Sequence, residues 1–334
     1  MKIIKLITYA IIACGFTFSM QGCSKNDSVV DPQPIKGDTG STIEELVNRF
    51  WDETSYLKLD QKRLSTMDEM QRWADLCTNV YFNQYYACED STLCAHMEEG
   101  SILYYHKKSL DRLLEMVPKE KVPEGKVVLW QLYNMGYIVK TSKHCFGIDI
   151  KHKYAAKLEP LLEFLLITHA HEDHYTTALI NKMTEAGKPV YSNFIDNKYK
   201  ITGKSVINVI DDIQMEVNIV DHNATLPNFV VTYQIDCGKD ANHCIIFHTG
   251  DAYNVDQLNP TKAVDIMIPH LAVGLDMKEV VSKIQPKMLL LSHILELGHP
   301  VEKWRWSYQY GVKCCTDLQY DKAYLPVWGE KITY

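Results

Sequence analysis

The sequence lacks several features that would point to common classes of protein. None of its ten cysteines stands in a Cys-x-x-Cys spacing, which disfavours a separate structural zinc site and a thioredoxin-like redox site. Basic residues are not in excess, and the formal net charge of −7 does not favour nucleic acid or anionic lipid as a partner. No internal repeat occurs at solenoid spacing.

A long transmembrane run is also missing. The apolar residues 6–18 follow two lysines and are too short to span a membrane as a mature helix, so residues 1–22 have the order of a secretory signal. Gly22-Cys23 resembles the end of a bacterial lipobox, and residues 23–40 have the composition of a flexible tether. We therefore expect an exported lipoprotein, anchored through a lipidated Cys23 on the periplasmic or cell-surface side of a bacterial membrane. The alternative is an ordinary signal peptide with an incidental cysteine.

The remaining composition is that of a folded protein with a substantial core. The chain has 334 residues, of which 46% are hydrophobic and 10% aromatic. The cysteines that follow Cys23 are even in number, which permits disulfides in an oxidising compartment. Cys88 and Cys94 are the pair we favour for a bridge.

Helical spacing dominates residues 41–122. A capping-box pattern, Ser41-x-x-Glu44, precedes an apolar stripe that runs from Ile43 to Trp51. Two further stripes predict helices within 67–77 and 109–117. Such stripes are typical of helices that face a core, so we expect a helical N-terminal segment that packs on the rest of the protein.

The pattern changes to that of β-strands after residue 122. Branched and aromatic residues, typical of hairpin strands, are concentrated in 127–139 and 144–150. Residues 123–334 are therefore predicted to form the catalytic domain, with later strands alternating with helices. The later predicted strands lie in 164–168, 189–192, 215–220, 229–235, 244–248, 263–269 and 288–292.

The most informative motif follows the predicted strand 164–168. The run His169-Ala-His171-Glu-Asp173-His174 places three imidazoles and two carboxylates within six residues. These are ligands that zinc and similar divalent ions prefer, and a tight turn after a buried strand can aim alternate side chains at one point. The alternative, a polar loop rich in histidine, would need a separate partner for each buried imidazole.

This motif resembles the signature of the metallo-β-lactamase-fold hydrolases, and further matching residues follow in the family's order within 126–334. The resemblance implies an α/β fold, the metallo-β-lactamase αββα sandwich, preceded here by the helical extension. It also implies two metal ions. The implied ligands are His169, His171 and His222 for the first ion, Asp173, His174 and His293 for the second, and Asp251 between the two.

Several assignments around the site stay open. Asp149 matches a family aspartate that supports the ligand shell, or it is a plain strand-end residue. His299 is the alternative to His293 as the last ligand, although a strand-end residue such as His293 is held more rigidly. His248 and His270 also stand near predicted strand ends, and each could donate a proton, touch substrate or simply be packed. The residues to which we assign catalytic roles are Asp173, Asp251 and His270.

Differences from two other groups of metallo-β-lactamase-fold proteins reduce the number of activities to be expected. A flavodiiron-type oxidoreductase would be expected to have a carboxylate at the position of His171, which disfavours a redox-active di-iron enzyme. Zinc β-lactamases generally lack the bridging aspartate that Asp251 provides. The sequence looks closest to the branch that contains ascorbate-phosphate lactonases and N-acylphosphatidylethanolamine phospholipases.

The resemblance therefore implies a hydrolase in which two divalent ions activate water against an ester, lactone, amide or phosphodiester of a small-molecule or lipid substrate. Zinc is the favoured ion, with manganese and iron as alternatives. A lipid-directed phosphodiesterase of the same fold is the second enzyme hypothesis. A surface binding module that holds metal only for structure is the hypothesis from another class, although structural zinc sites normally have four ligands and no open position.

Overall fold

This computed structural model describes residues 41–334 of the chain. The predicted signal peptide, the tether and the lipidation site at Cys23 lie outside the described residues. Among the helices that are described, none is both long and apolar enough to cross a membrane.

The N-terminal segment is helical, and its first cap differs from the prediction by one residue. Thr42, rather than Ser41, caps the first helix: its Oγ1 accepts from the Glu45 amide at 3.2 Å, and Glu45 Oε2 accepts from the Thr42 amide at 2.7 Å. Directly after that helix the chain forms a π-helical turn, Arg49–Glu53. The helices of the segment are α1 (Ile43–Asn48), α2 (Gln61–Leu76), α3 (Asn79–Ala87), α4 (Ser91–Glu98) and α5 (Ile102–Lys119).

The rest of the described chain alternates between strands and helices, as its sequence predicts. The strands are β1 (Val128–Gln131), β2 (Tyr137–Lys140), β3 (Cys145–Ile148), β4 (Leu165–Leu166), β5 (Val190–Tyr191), β6 (Ser205–Ile210), β7 (Ile213–Val220), β8 (Val230–Asp236), β9 (Ile245–Gly250), β10 (Ile266–Pro269), β11 (Met288–Leu290), β12 (Ala323–Tyr324) and β13 (Lys331–Thr333). The helices are α6 (Thr177–Glu185), α7 (Met277–Ile284) and α8 (Tyr308–Leu318).

The strands form two mixed sheets. The first has the order β13-β1-β2-β3-β4-β5, and the second has the order β12-β11-β10-β9-β8-β7-β6. In the first sheet β3, β4 and β5 are parallel, and in the second the strands β9 to β12 are parallel. The other neighbours pair antiparallel, in hairpins such as β1–β2 and β7–β8.

Apolar side chains from both sheets meet in one buried layer. Leu129 and Phe146 from the first sheet belong to the same cluster as Tyr233 and Ile246 from the second. A second apolar cluster covers the opposite faces of the strands and includes residues of the outer helices, such as Leu179 of α6. Two face-to-face sheets between layers of helices are the αββα sandwich that the family resemblance implies, so the predicted fold class is confirmed.

A buried ion pair holds the helical segment against the sandwich. The Arg63 guanidinium of α2 donates to both carboxylate oxygens of Glu330, at 3.0 and 2.7 Å, and to the Leu325 carbonyl at 2.9 Å. Trp51 adds a hydrogen bond from its indole N–H to the Trp328 carbonyl at 2.8 Å. Removing one partner of such a buried pair leaves an uncompensated charge, which typically costs about 3–5 kcal/mol. The segment therefore packs firmly on the core.

The favoured disulfide is not formed. All the cysteines within the described residues are free thiols. Cys88 and Cys94 are nevertheless in contact, with the Cys94 thiol donating to Cys88 Sγ at 2.8 Å. The two predicted partners therefore lie in contact, but the expected covalent bond between them is not present.

Candidate metal centre

The predicted ligands lie at one edge of the sandwich, where strands end. The run 169–174 follows β4, Asp251 follows β9 and His293 follows β11. His222 follows β7, which runs in the same direction as β9 because both are antiparallel to β8. Side chains far apart in sequence therefore meet beyond the carboxyl ends of the strands, where ligand sites of α/β folds commonly lie.

A first cluster combines three imidazoles with one carboxylate. One ligand atom from each of its members lies within 4.8 Å of the others. The ring of His171 is 4.7 Å from that of His169 and 4.6 Å from that of His222, measured between centroids. His169 is fully buried, whereas His171 and His222 are partly exposed. The members of this cluster are His169, His171, His222 and Asp251.

A second cluster combines two imidazoles with a carboxylate. Asp173 Oδ2 lies 3.2 Å from His174 Nε2 and 3.2 Å from His293 Nε2. The three ligand atoms again fall within 4.8 Å of one another. The structure thus brings Asp173, His174 and His293 together as a set distinct from the first.

Asp251 lies between the two clusters. One of its carboxylate oxygens is 3.3 Å from His174 Nε2, and the other is 3.5 Å from His222 Nε2. The preceding residue, Gly250, makes this position possible: its φ is +51°, and a Cβ there would lie 2.7 Å from the Cβ of Thr168. A carboxylate that faces histidines of both clusters can bridge two ions.

The residues present fit two divalent ions. Three buried ligand atoms of the clusters have no hydrogen-bond partner within the described residues: His169 Nε2, His174 Nε2 and Asp251 Oδ1. Buried polar atoms rarely remain unsatisfied, and each such group costs about 1–3 kcal/mol. Imidazole nitrogens and carboxylate oxygens that converge without partners are the donor set of zinc and related ions.

Burial and the neighbouring carboxylates set the protonation states of the histidine ligands. Burial lowers the pKa of His169 well below its ordinary range and that of His171 to about 4, so both are neutral at pH 7. Burial opposes the charge of His174, but Asp173 and Asp251 outweigh it and raise its pKa well above the ordinary value. His174 therefore carries a proton that an arriving ion would displace.

Asp149 holds the rings of two ligand histidines in place through hydrogen bonds. It is fully buried, and its Oδ2 lies 2.9 Å from His174 Nδ1. The amide and hydroxyl of Thr168 donate to the same carboxylate at 2.8 and 2.7 Å, and the hydroxyl lies 3.0 Å from His169 Nδ1. These contacts fix the orientation of both rings, which is the support that metal-bound histidines need. The reading of Asp149 as a plain strand-end residue does not account for them.

Asn134 is a further residue that contacts the ligands, and the sequence does not indicate this role. Its side-chain amide donates to Asp173 Oδ2 at 2.6 Å and lies 3.1 Å from His293 Nε2. Asn134 has a φ of +52° in the turn between β1 and β2. The Asn-Met-Gly sequence of that turn signals a tight bend, but nothing in it signals contact with ligands far along the chain.

The remaining histidines near the site have different surroundings. His248 Nε2 bonds to the Met135 carbonyl at 3.0 Å and its Nδ1 accepts from Gly250, so the ring is held by backbone. His299 Nδ1 lies within hydrogen-bond distance of the Val301 backbone, and His299 belongs to none of the clusters found in the described residues. His270 stacks on His293 with a centroid separation of 3.9 Å and forms a third group with Asp251 and His293.

A cavity of about 400 Å³ opens onto both clusters. His171, Asp173 and His270 face it, and Trp304 and Trp306 contribute apolar surface. A substrate can therefore reach the ligands from solvent, which a closed structural metal site would not allow.

Comparisons with known proteins return only solved structures of low sequence identity to this chain. No protein-family model matches the chain, and no curated protein matches it at a significant level. A metallo hydrolase from the archaeon Ignicoccus hospitalis is similar in structure, with a TM-score of 0.48 and 15% identity over 63% of this chain and 98% of that one. CmlA, a diiron β-hydroxylase from Streptomyces venezuelae, gives a TM-score of 0.45 and 12% identity over 64% of this chain and 55% of that one.

A third structure comes from Thermotoga maritima and is described provisionally as a zinc-dependent hydrolase of the metallo-β-lactamase superfamily. Its TM-score is 0.32 and its identity 14%, over 50% of this chain and 76% of that one. Metal-dependent hydrolases and a diiron enzyme are thus among the structures that resemble this chain.

Proposed function

We propose that this protein is a metal-dependent hydrolase of the metallo-β-lactamase fold, with zinc the favoured ion at both positions. The observation that supports this most strongly is the pair of ligand clusters with Asp251 between them, at the mouth of an open cavity. Two divalent ions would supply Lewis acidity and lower the pKa of a shared water toward neutrality. The bond attacked would be that of an ester, lactone, amide or phosphodiester, as in the branch with lactonases and phospholipases.

The residues of the chain then have separable roles. Asp173 lies within the second cluster and Asp251 between the two clusters; both supply negative charge and hold the imidazoles in place through contacts of 3.2–3.6 Å. His169 and His174 are fixed by Thr168 and Asp149, so the ligand geometry is set before substrate arrives. Such preorganisation spares the site reorganisation during the reaction.

His270 is the proposed hydrogen-bond donor to the substrate. Its Nδ1 accepts from the amides of Ala272 and Val273 at 2.9 and 3.2 Å. Because Nδ1 is an acceptor, the neutral ring carries its proton on Nε2. Burial and the neighbouring His293 lower the pKa of His270 well below its ordinary range, so the ring is neutral at pH 7. The Nε2–H can then bond to an oxygen of the substrate that gains charge during hydrolysis.

A lipid-directed phosphodiesterase is the second candidate. The observation that favours it is Trp304, which lines the cavity of the clusters and is 47% exposed. Tryptophan at the edge of a site can insert its apolar ring into a lipid interface. Release of head group from phospholipid vesicles, compared with hydrolysis of soluble esters, separates the two candidates. Turnover of soluble esters with no head-group release would argue against the lipid-directed version.

Location is a separate proposal. A lipid anchor at Cys23 would hold the enzyme on the outer side of a bacterial membrane, and its support is the lipobox-like Gly22-Cys23 sequence. Metabolic labelling with a fatty acid should mark the wild-type protein and leave Cys23→Ser unlabelled. Equal labelling of both, or of neither, would contradict the anchor.

The proposed function is tested by elemental analysis together with activity. The purified soluble form, residues 24–334, should contain close to two ions per chain and hydrolyse members of an ester, lactone and phosphodiester panel. Asp251→Ala should lose metal and turnover while keeping its circular dichroism spectrum. Asp196→Ala is the matched control, because this carboxylate is 98% exposed and far from any described ligand in sequence. A metal-loaded protein inert toward the whole panel would favour the surface binding module instead.

A further inference from the structure

A second cavity adjoins the metal centre on the side of α3. We name it the α3 pocket; its lining includes Phe82, Tyr86, Tyr133, Lys151, Glu172 and Glu296. It has a volume of about 620 Å³ and shares His171 and Asp173 with the cavity described above. A substrate bound at the clusters can therefore extend into the α3 pocket, whose wall comes from the N-terminal helical segment.

Lys151 is the cationic side chain in this lining. It lies three residues beyond the end of β3 and is partly buried, and its ammonium lies 4.6 Å from the centre of the Tyr86 ring. Within the described residues no hydrogen bond or ion pair involves its ammonium. Burial lowers the pKa of Lys151, and the nearby Glu172, Asp173 and Glu296 oppose this shift. A half-buried ammonium that contacts an aromatic ring but has no hydrogen-bonded anion remains costly to bury.

The aromatic side chains that line the α3 pocket are held in place by contacts with one another and with His106. The Tyr86 hydroxyl lies 2.9 Å from His106 Nε2, which anchors the ring that Lys151 covers. Phe82 packs against Tyr86 and stacks on Tyr133, with centroid separations of 4.7 and 5.8 Å. The pocket is therefore shaped before any ligand arrives, and its apolar wall would strengthen an electrostatic contact by excluding water.

The charges beside Lys151 change once the clusters are loaded. Asp173 would then be engaged by an ion, and Glu172 is exposed to solvent, where its field is screened. Burial raises the pKa of Glu296 to about 9, so this third carboxyl group is neutral at pH 7. Two divalent ions against the ligand carboxylates Asp173 and Asp251 leave a surplus of positive charge next to the pocket. An anion is the complement of that surplus and of Lys151.

We propose that the α3 pocket binds an anionic oxygen group of the substrate, a carboxylate or a phosphate, through the Lys151 ammonium. The natural substrate then carries this anion at one end and the bond to be hydrolysed at the other. This inference rests on the proposed function, because it uses the metal centre as the second point of attachment. It assigns the helical segment a part in substrate selection beyond covering the core.

Binding of product-like anions tests this without requiring turnover. The zinc-loaded protein is titrated by calorimetry with malonate, succinate, glutarate and adipate, each paired with the monocarboxylate of matching length. Phosphonopropionate replaces one carboxylate to distinguish a phosphate from a carboxylate. The variants are Lys151→Met and, as matched control, Lys157→Met, since Lys157 also lies over a tyrosine ring, 5.1 Å from that of Tyr154, but does not line the pocket.

We expect at least one dianion to bind about tenfold or more tightly than its monocarboxylate, the usual gain from a charge-assisted hydrogen bond. Lys151→Met should abolish that advantage and leave monocarboxylate binding unchanged, whereas Lys157→Met should retain the advantage. If no dianion is preferred, or the preference survives in Lys151→Met, the pocket does not use Lys151 and the inference is wrong. Failure to bind zinc would instead contradict the proposed function, and the inference with it.

Discussion

Replacing Asp149 by asparagine tests how the second cluster is held. The Asp149 carboxylate accepts from the Thr168 amide, the Thr168 hydroxyl and His174 Nδ1, at 2.8, 2.7 and 2.9 Å. Asparagine has nearly the same shape but presents an NH₂ group where one carboxylate oxygen stood. The nitrogen of His174 that faces it would then have to accept a hydrogen bond, which moves the ring proton to Nε2. That is the atom aimed at Asp173 and Asp251, so the ring would be in the wrong tautomer to bind a metal.

The expected loss is large enough to measure. Supporting residues of this kind are typically worth about 10–100-fold in metal affinity, or about 1.4–2.7 kcal/mol. Titration of the metal-free protein with zinc against a chromophoric chelator should show the second ion weakened by this factor in Asp149→Asn. The first ion should be affected less, because Asp149 reaches His169 only through Thr168.

A matched control separates this effect from general destabilisation. Asp265 also accepts a backbone amide, that of Ile245, at 2.8 Å, but it lies at the opposite end of β9 from the ligands. Asp265→Asn should lower the free energy of unfolding without changing zinc affinity. Unchanged zinc affinity in Asp149→Asn, with its fold intact, would refute the supporting role assigned to Asp149.

Three further predictions concern the stability of the fold and the contact between two thiols. Gly250→Ala should lower the free energy of unfolding by about 2–4 kcal/mol in urea, because its φ is +51° and the new Cβ would overlap Thr168; an unchanged midpoint would contradict this. Burial lowers the pKa of His152 to about 3, so the unfolded chain takes up its proton first and the contribution of His152 to stability is lost as pH falls below about 6.5. When the pH is lowered from 7.5 to about 5.5, the free energy of unfolding should therefore fall by about 1 kcal/mol less in His152→Gln than in the wild type. An equal fall in the two proteins would contradict this prediction. Oxidised glutathione should join Cys88 to Cys94, seen by mass spectrometry as a bridged peptide; persistence of both thiols would show that their contact is not productive.

Local patterns predicted the alternation of strands and helices after residue 122 and a metal-binding turn at His169–His174, because both need only neighbouring residues to be recognised. The sandwich itself and the ligands beyond this turn were expected only from the resemblance to the metallo-β-lactamase-fold hydrolases. The cap at Thr42 was misplaced by one residue because Ser41 and Thr42 are each followed by a glutamate three positions on, and only the backbone path decides between them.

Contacts across the chain could not be predicted in the same way. Asn134 meets His293 from 159 positions away, and no spacing rule connects a hairpin turn with a ligand on another sheet. The helix α3 was missed because its tyrosines, asparagines and phenylalanine have low helix propensity, so its stability comes from burial of Phe82 and Tyr85 against the core. Short strands such as β12 and β13 carry too few residues for a period to be visible.

Anomalous diffraction from crystals of the metal-loaded protein tests the central claim most directly. Data collected on either side of the zinc absorption edge should show two peaks about 3.5–4 Å apart, as in other two-metal sites. One peak should lie among His169, His171 and His222, and the other among Asp173, His174 and His293, with Asp251 between them. A single peak, or one placed among Asp251, His270 and His293 instead, would contradict the two-ion site from which the proposed hydrolase activity follows.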